Sequence, residues 1–220
     1  MLWSDKMGKE LTFTMSQQII DMASKPLRKR EDVILLLLYT IRMFDVSIFL
    51  TDERSEKVKI SIDKMNRIFY LLEGKMFSMQ FPFCIDDSSN QDNVIIYHNI
   101  TGTVINPMVL SFLIEAFEKM NRKEMDFETI FEIIMEPEVN DDDFTTKEMW
   151  LLISHLLKYD LGYIRYDIDP EHENGRMHPL NHLDICLDTA ATYKIGLDKK
   201  IEFDDFKNIL DTTNECWYIY

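Results

Sequence analysis

Five side chains in the last third of the sequence have the chemistry of an acid–base or metal site. They are Arg165, Asp167, His178, His182 and Asp184. Imidazoles titrate near neutral pH, and carboxylates beside them can orient the rings for proton transfer. A guanidinium in the same group could hold a phosphate through two parallel hydrogen bonds. This combination of residue types would suit a nuclease or a phosphodiesterase.

The hydropathy pattern around these residues predicts a small antiparallel meander. Polar and apolar side chains alternate over Tyr163–Ile168 and again over His182–Leu187, which is typical of strands with one buried face. A third short strand is expected over Thr192–Ile195. The connection 169–181 contains two prolines and a glycine, so we expect it to be irregular.

Alternate side chains of paired strands line the same face of a sheet. Pairing of the first two strands would therefore gather four of the five side chains: Arg165, Asp167, His182 and Asp184. Four roles are open for such a group. It could be a hydrogen-bonded structural network, a metal-free acid–base site, a metal site, or a pocket for a ligand or phosphate.

The metal interpretation depends on two histidines separated by three residues, His178 and His182, a spacing that occurs in some zinc sites. Pro179 argues against a helix here, so the ligands would have to converge through the strands and the loop. Additional ligands could come from a neighbouring set: Asp167, Asp169, His172 and Asp184. The chain has no P-loop, GxGxxG or HExxH motif, and the identity of any metal or cofactor is left open.

Composition limits the classes of function. The 220 residues suit one large domain or two small ones, and 46% of them are hydrophobic, which is typical of a globular protein. The formal net charge is −15, which repels phosphate backbones and disfavours direct nucleic-acid binding. One basic cluster, Lys25–Arg30, is interpreted as a solvated linker or as a docking strip for an acidic partner or a nucleic-acid end.

The sequence predicts a cytoplasmic protein without a membrane segment. Three distant cysteines, Cys84, Cys186 and Cys216, form no disulfide framework or CxxC motif, which favours a reducing compartment. Met1–Leu11 is charged and lacks the apolar region of a signal peptide. The longest apolar run, Val33–Tyr39, is too short to span a bilayer.

The expected fold class is α+β, helix-rich, with the small antiparallel meander in the C-terminal third. A hairpin is predicted from Val46–Leu50 and Val58–Ile62, and a helix over Met65–Met79 from apolar residues at three- and four-residue spacing. Further helices are expected in several places: 14–24, 31–45, 106–121, 126–135, 145–161 and 202–210. The chain divides into residues 1–143 and 144–220, or forms one continuous domain.

Part of the C-terminal third resembles a known signature. The segments Arg165–Asp167, Asp169–Pro170 and His178–Leu183 are similar to a pattern in small uncharacterised bacterial proteins. Some of those proteins are encoded beside phage-defence or toxin–antitoxin genes. The resemblance begins near Trp150 and implies a prokaryotic accessory or effector protein.

Two functions follow from these observations. The favoured one is a non-catalytic interaction or regulatory subunit of a prokaryotic, antiviral defence-type assembly, bound to a larger protein partner. The acidic charge, the apolar segment Val33–Tyr39, the apolar C-terminus and 14 methionines support it. The alternative is a small hydrolase or ribonuclease-like effector that uses His178, His182, Arg165 and Asp184. The oligomeric state is left open.

Overall fold

The structure is a computed structural model of the chain. It describes residues 9–47, 55–62, 65–86, 95–122, 128, 131–132, 146–185, 187 and 192–217. The chain forms two compact units. Unit 1 consists of Met1–Ser24, Leu50–Phe81 and Leu161–Tyr220, and unit 2 consists of Lys25–Phe49 and Pro82–Asp160.

A seven-stranded antiparallel sheet dominates unit 1. Its spatial order is β1-β2-β3-β4-β7-β8-β9. The strands are β1 Lys9–Thr14, β2 Lys57–Ile62, β3 Arg67–Leu72, β4 Lys75–Gln80, β7 Ile164–Ile168, β8 Asn181–Ile185 and β9 Tyr193–Leu197. In the part of this unit that the structure describes, the helices are α1 Gln17–Ser24 and α5 Phe203–Leu210. Since successive strands pair antiparallel throughout, the sheet is a meander interrupted between β4 and β7.

Among the described residues, unit 2 contains three helices with defined bounds and a two-stranded hairpin. They are α2 Arg30–Ser47, α3 Pro107–Arg122, α4 Thr146–Lys158, β5 Phe83–Asp86 and β6 Ile95–His98. Helix α3 begins as predicted, because Asn106 Oδ1 accepts a hydrogen bond from the Val109 N–H at 2.8 Å and Pro107 is the first helical residue. Within the described part of the chain, no helix has both the length and the apolar character needed to cross a membrane.

The prediction of a helix-rich fold is wrong, and one segment accounts for much of the error. The helix predicted over Met65–Met79 is the β3–β4 hairpin, which turns at Gly74 with φ +68°. Both faces of this hairpin are buried, so apolar residues occupy odd and even positions alike. A strand buried on both sides loses its alternation, and three- and four-residue spacings then arise by chance.

Strand pairing between distant segments explains the other errors. Helix α2 continues to Ser47, and Val58–Ile62 lies in β2, which pairs with β1 and β3 rather than with the predicted partner. Residues 48–54 lie outside the described residues, as does most of the predicted helix 126–135. The predicted C-terminal meander is present as β7–β9, but β4 pairs with β7 and makes it one end of a larger sheet.

One face of the sheet packs against α5. Phe69 on β3 contacts Phe203 and Phe206 edge to face, with ring centroids 5.4 and 6.3 Å apart. The buried members of this core are Phe69, Met76, Ile164, Tyr166, Leu183, Ile201 and Phe206. Because Ile164 and Tyr166 point into it, the alternate residues of β7 must point to the opposite face. That opposite face carries the candidate site.

Candidate functional site

Strands β7 and β8 bring together four of the five residues predicted from the sequence. Arg165 lies opposite Asp184, and Asp167 lies opposite His182. The predicted pairing of the two strands is therefore observed, with all four side chains on one face of the sheet. His178 comes from the loop that joins the strands and lies next to His182, with 4.8 Å between ring centroids and an interplanar angle of 89°.

The four strand residues form a connected network of ion pairs with a fifth residue, Lys194. Arg165 Nε donates to Asp167 Oδ2 at 2.6 Å, and Arg165 Nη2 donates to Asp184 Oδ2. Lys194 Nζ lies 2.9 Å from Asp184 Oδ1 and 2.9 Å from His182 Nε2. Two carboxylates and two cations surround one imidazole, so the charges inside the network balance.

Lys194 was not among the residues predicted from the sequence. It lies on β9 opposite Asp184, so the register of the third strand places it in the network. The predicted third strand, Thr192–Ile195, already contained this residue. Alternation of polar and apolar residues across that strand could have indicated Lys194, but β9 is half-exposed and its alternation is weak.

His182 is the most enclosed member of the network, with 1% of its side chain exposed. Its Nδ1 lies 2.9 Å from the carbonyl oxygen of Pro179. A carbonyl can only accept a hydrogen bond, so Nδ1 carries the proton. The other nitrogen, Nε2, then accepts from Lys194. Both ring nitrogens are engaged inside the protein.

A glycine on the edge strand allows the Pro179 turn to lie close to the sheet. A Cβ added to Gly196 would lie 2.7 Å from Pro179 Cγ and 3.4 Å from Pro179 Cβ. The proline ring is rigid and cannot rotate out of the way. Gly196 is paired with His182 across the strands, so the close approach occurs directly beside the buried imidazole.

We therefore expect Gly196→Ala to disturb the turn at His182. The clash should lower the free energy of unfolding by about 1–3 kcal/mol, the range of overpacked sites, and should shift the NMR signals of the His182 ring. Gly175→Ala is the control, because nothing lies within 4 Å of its added Cβ, although its φ of +51° strains the backbone. Unchanged His182 signals in Gly196→Ala would show that the turn does not depend on this contact.

The connection between β7 and β8 holds a second polar group closer to the surface. Asp169 Oδ1 lies 3.0 Å from His172 Nδ1, and Asp169 Oδ2 lies 3.2 Å from His178 Nε2. Burial would raise the pKa of Asp169, but the hydrogen bonds from His172 outweigh it and the pKa is lowered. The Asp169 carboxylate therefore binds His172 and lies beside His178, whose Nε2 is buried without a well-directed hydrogen bond among the described residues.

Residues 171–177 of this loop are exposed, yet the backbone is hydrogen-bonded. The Asn174 N–H donates to the His178 carbonyl at 2.8 Å, and the Met177 N–H donates to the Asn174 carbonyl at 3.1 Å. Met177 at the tip is 84% exposed. The loop is a defined surface feature whose base is joined to the buried network through Pro179.

Three ionisable groups in and around the network have shifted pKa values, for which burial and the charges of the network are the causes. Burial disfavours the charge on Arg165, but the interaction with Asp167 and the other neighbours outweighs it and raises the Arg165 pKa. Burial also raises the pKa of Tyr163 to about 12. On β4, opposite Asp167, burial lowers the pKa of Lys75 to about 8, and its Nζ donates to the Ala23 carbonyl at 2.7 Å.

The geometry decides what the network can do for an external molecule. Arg165 directs its Nε and Nη2 to two carboxylates, so a bound phosphate would have to break those pairs. His182 lies away from solvent with both nitrogens engaged. His178 is more accessible than His182, with 26% of its side chain exposed. The catalytic roles predicted for these residues stay predictions, while their contacts describe a network that joins strands and loop.

Comparison of the chain with family models, with curated proteins and with solved structures finds no match.

Proposed function

We propose that this chain is a non-catalytic interaction subunit that binds a larger protein partner in the cytoplasm. An exposed apolar surface of unit 2 carries the proposal. The resemblance of the C-terminal third to bacterial proteins encoded beside phage-defence or toxin–antitoxin genes supports a prokaryotic defence-type assembly as the setting. The ion network has no catalytic role in this assignment, since its charged groups are paired with one another.

The apolar surface lies around β6. Tyr97 pairs with Val104 in an isolated bridge, so Ile95, Tyr97 and Val104 share one face. Ile95 is 41% exposed, Val104 is 50% exposed, and Ile100 in the turn between them is 62% exposed. We call Ile95, Tyr97, Ile100 and Val104 the β6 surface. Grouped exposure of large apolar side chains marks sites of protein–protein contact.

Charge indicates the kind of partner. With a formal net charge of −15, two copies of this chain would repel each other at close approach. A partner with an apolar cleft and a basic rim would instead be attracted, and electrostatic complementarity would accelerate its association. We therefore propose a basic partner protein rather than a second copy of the chain.

The test uses the full chain, purified gently from its native host, with native mass spectrometry of the eluate. We expect a stoichiometric complex whose affinity falls as salt is raised, because salt screens the charged rim. Replacing Ile100 and Val104 together by serine should weaken the complex at least tenfold. Both side chains are half exposed or more, so the melting temperature should change little.

Met177→Ser is the matched control, since it removes an even more exposed apolar side chain from unit 1. It should leave the complex intact if the β6 surface makes the contact. If Met177→Ser lost the partner and the double variant retained it, the contact would instead lie at the β7–β8 loop. Elution of the chain as a monomer or homodimer would overturn the subunit proposal.

A further inference from the structure

Three ligand atoms converge inside the ion network in the manner of a metal site. Asp167, His182 and Asp184 each offer one ligand atom, and these three atoms all lie within 4.8 Å of one another. His182 Nε2 is 3.7 Å from Asp167 Oδ2 and 4.0 Å from Asp184 Oδ1. Tetrahedral zinc with bonds of about 2.0–2.2 Å would need ligand–ligand separations of about 3.3–3.6 Å. The two separations that involve His182 would therefore have to contract by only a few tenths of an ångström to match such a coordination sphere.

The tautomer of His182 favours a cation between its Nε2 and the carboxylates of Asp167 and Asp184. Because Nδ1 donates its proton to the Pro179 carbonyl, the lone pair of Nε2 faces the two carboxylates. A lone pair and two negative charges repel one another unless a cation lies between them. A backbone carbonyl on the far nitrogen is also the arrangement that orients histidine ligands of metals.

Asp184 provides an independent indication. Its side chain is 6% exposed, and its Oδ1 is buried without a well-directed hydrogen bond, although Lys194 Nζ lies 2.9 Å away. Buried carboxylate oxygens normally accept directed hydrogen bonds or coordinate a cation. The Lys194 ammonium is the cation that contacts both Asp184 Oδ1 and His182 Nε2.

We propose that Asp167, His182 and Asp184 form a site for a divalent transition-metal ion, for which the Lys194 ammonium is the internal counter-ion. Lys194 extends from the half-exposed strand β9, and 35% of its side chain is exposed, so it can withdraw into solvent when a metal ion binds. One imidazole and two carboxylates suit Zn²⁺, Co²⁺ or Mn²⁺. The bound ion would take over the two contacts that Lys194 makes.

The experiment titrates the full chain with Co²⁺ alone, by calorimetry and by visible absorption, which reports nitrogen and oxygen coordination. We expect one Co²⁺ per chain in the wild type. Lys194→Met removes the competing ammonium and should bind Co²⁺ at least tenfold more tightly. Asp167→Asn should weaken binding at least tenfold, and circular dichroism checks the fold of both variants.

His172→Ala is the control because His172 belongs to the neighbouring surface group and is 70% exposed. Its loss should leave Co²⁺ binding unchanged. Binding that depends on His172 and not on Asp167 would overturn the proposal in favour of the surface histidines. Absence of Co²⁺ binding in the wild type and in Lys194→Met would also overturn it. If Asp167→Asn does not fold, the comparison of wild type, Lys194→Met and His172→Ala still shows whether Co²⁺ binds at the proposed site.

Discussion

Replacing Asp184 by asparagine is expected to lower the free energy of unfolding by about 3 kcal/mol or more, the range found when one partner of a buried ion pair is removed. Asparagine keeps the volume of the side chain and removes its charge. Arg165, which is largely buried, then keeps the carboxylate of Asp167, while Lys194 loses its contact with the carboxylate of Asp184. Urea unfolding at neutral pH, followed by circular dichroism, measures the change.

A surface ion pair on α3 provides the control. Glu115 and Lys119 are one helical turn apart, with 3.1 Å between Lys119 Nζ and Glu115 Oε1, and the Glu115 side chain is 66% exposed. Glu115→Gln should change stability by only about 0.5 kcal/mol or less. If Asp184→Asn changed stability as little as this control does, the network would not be a principal source of stability in unit 1.

Acidification is expected to destabilise unit 2 through His98. This histidine ends β6 and is 1% exposed. Its Nδ1 accepts a hydrogen bond from the Thr101 N–H at 3.2 Å, and its Nε2 is buried without a hydrogen-bond partner among the described residues. Burial, with a smaller contribution from His155, lowers the His98 pKa from 6.5 to about 4.

The direction of the effect follows from the two states of the chain. Between pH 6.5 and pH 4 the unfolded chain binds a proton at His98 and the folded chain does not. Stability is therefore present in full above pH 6.5 and is lost as the pH falls towards 4. The loss should reach about 3 kcal/mol, since one pKa unit corresponds to about 1.36 kcal/mol.

The measurement compares urea unfolding of wild type and His98→Asn at several pH values. Asparagine keeps an acceptor for the Thr101 N–H but does not titrate. The difference in free energy of unfolding between wild type and His98→Asn should therefore shrink or reverse on acidification. His172→Asn replaces an exposed histidine, so its free energy of unfolding should fall with pH as steeply as that of the wild type. Parallel pH profiles for wild type and His98→Asn would contradict the prediction.

Sequence patterns predicted four of the five members of the ion network, Lys194 being the exception, and the two strands that carry those four. Alternation over β7 and β8 was readable because one face of each strand is apolar and the other is polar. A period of two then specifies which side chains share a face, and Arg165, Asp167, His182 and Asp184 do share one. The cap of α3 at Asn106 was readable for a similar reason, since it depends on neighbouring residues alone.

The tertiary structure decided the size of the sheet and the chemistry of the site. β3 and β4 are buried on both faces, so their sequences lack alternation, and only pairing with β2 and β7 identifies them as strands. Lys194 enters the network because of the register of a half-exposed strand, which local sequence specifies weakly. Pro179, whose carbonyl lies against His182 Nδ1, also lies close to Gly196, and no local sequence pattern encodes this contact between distant residues.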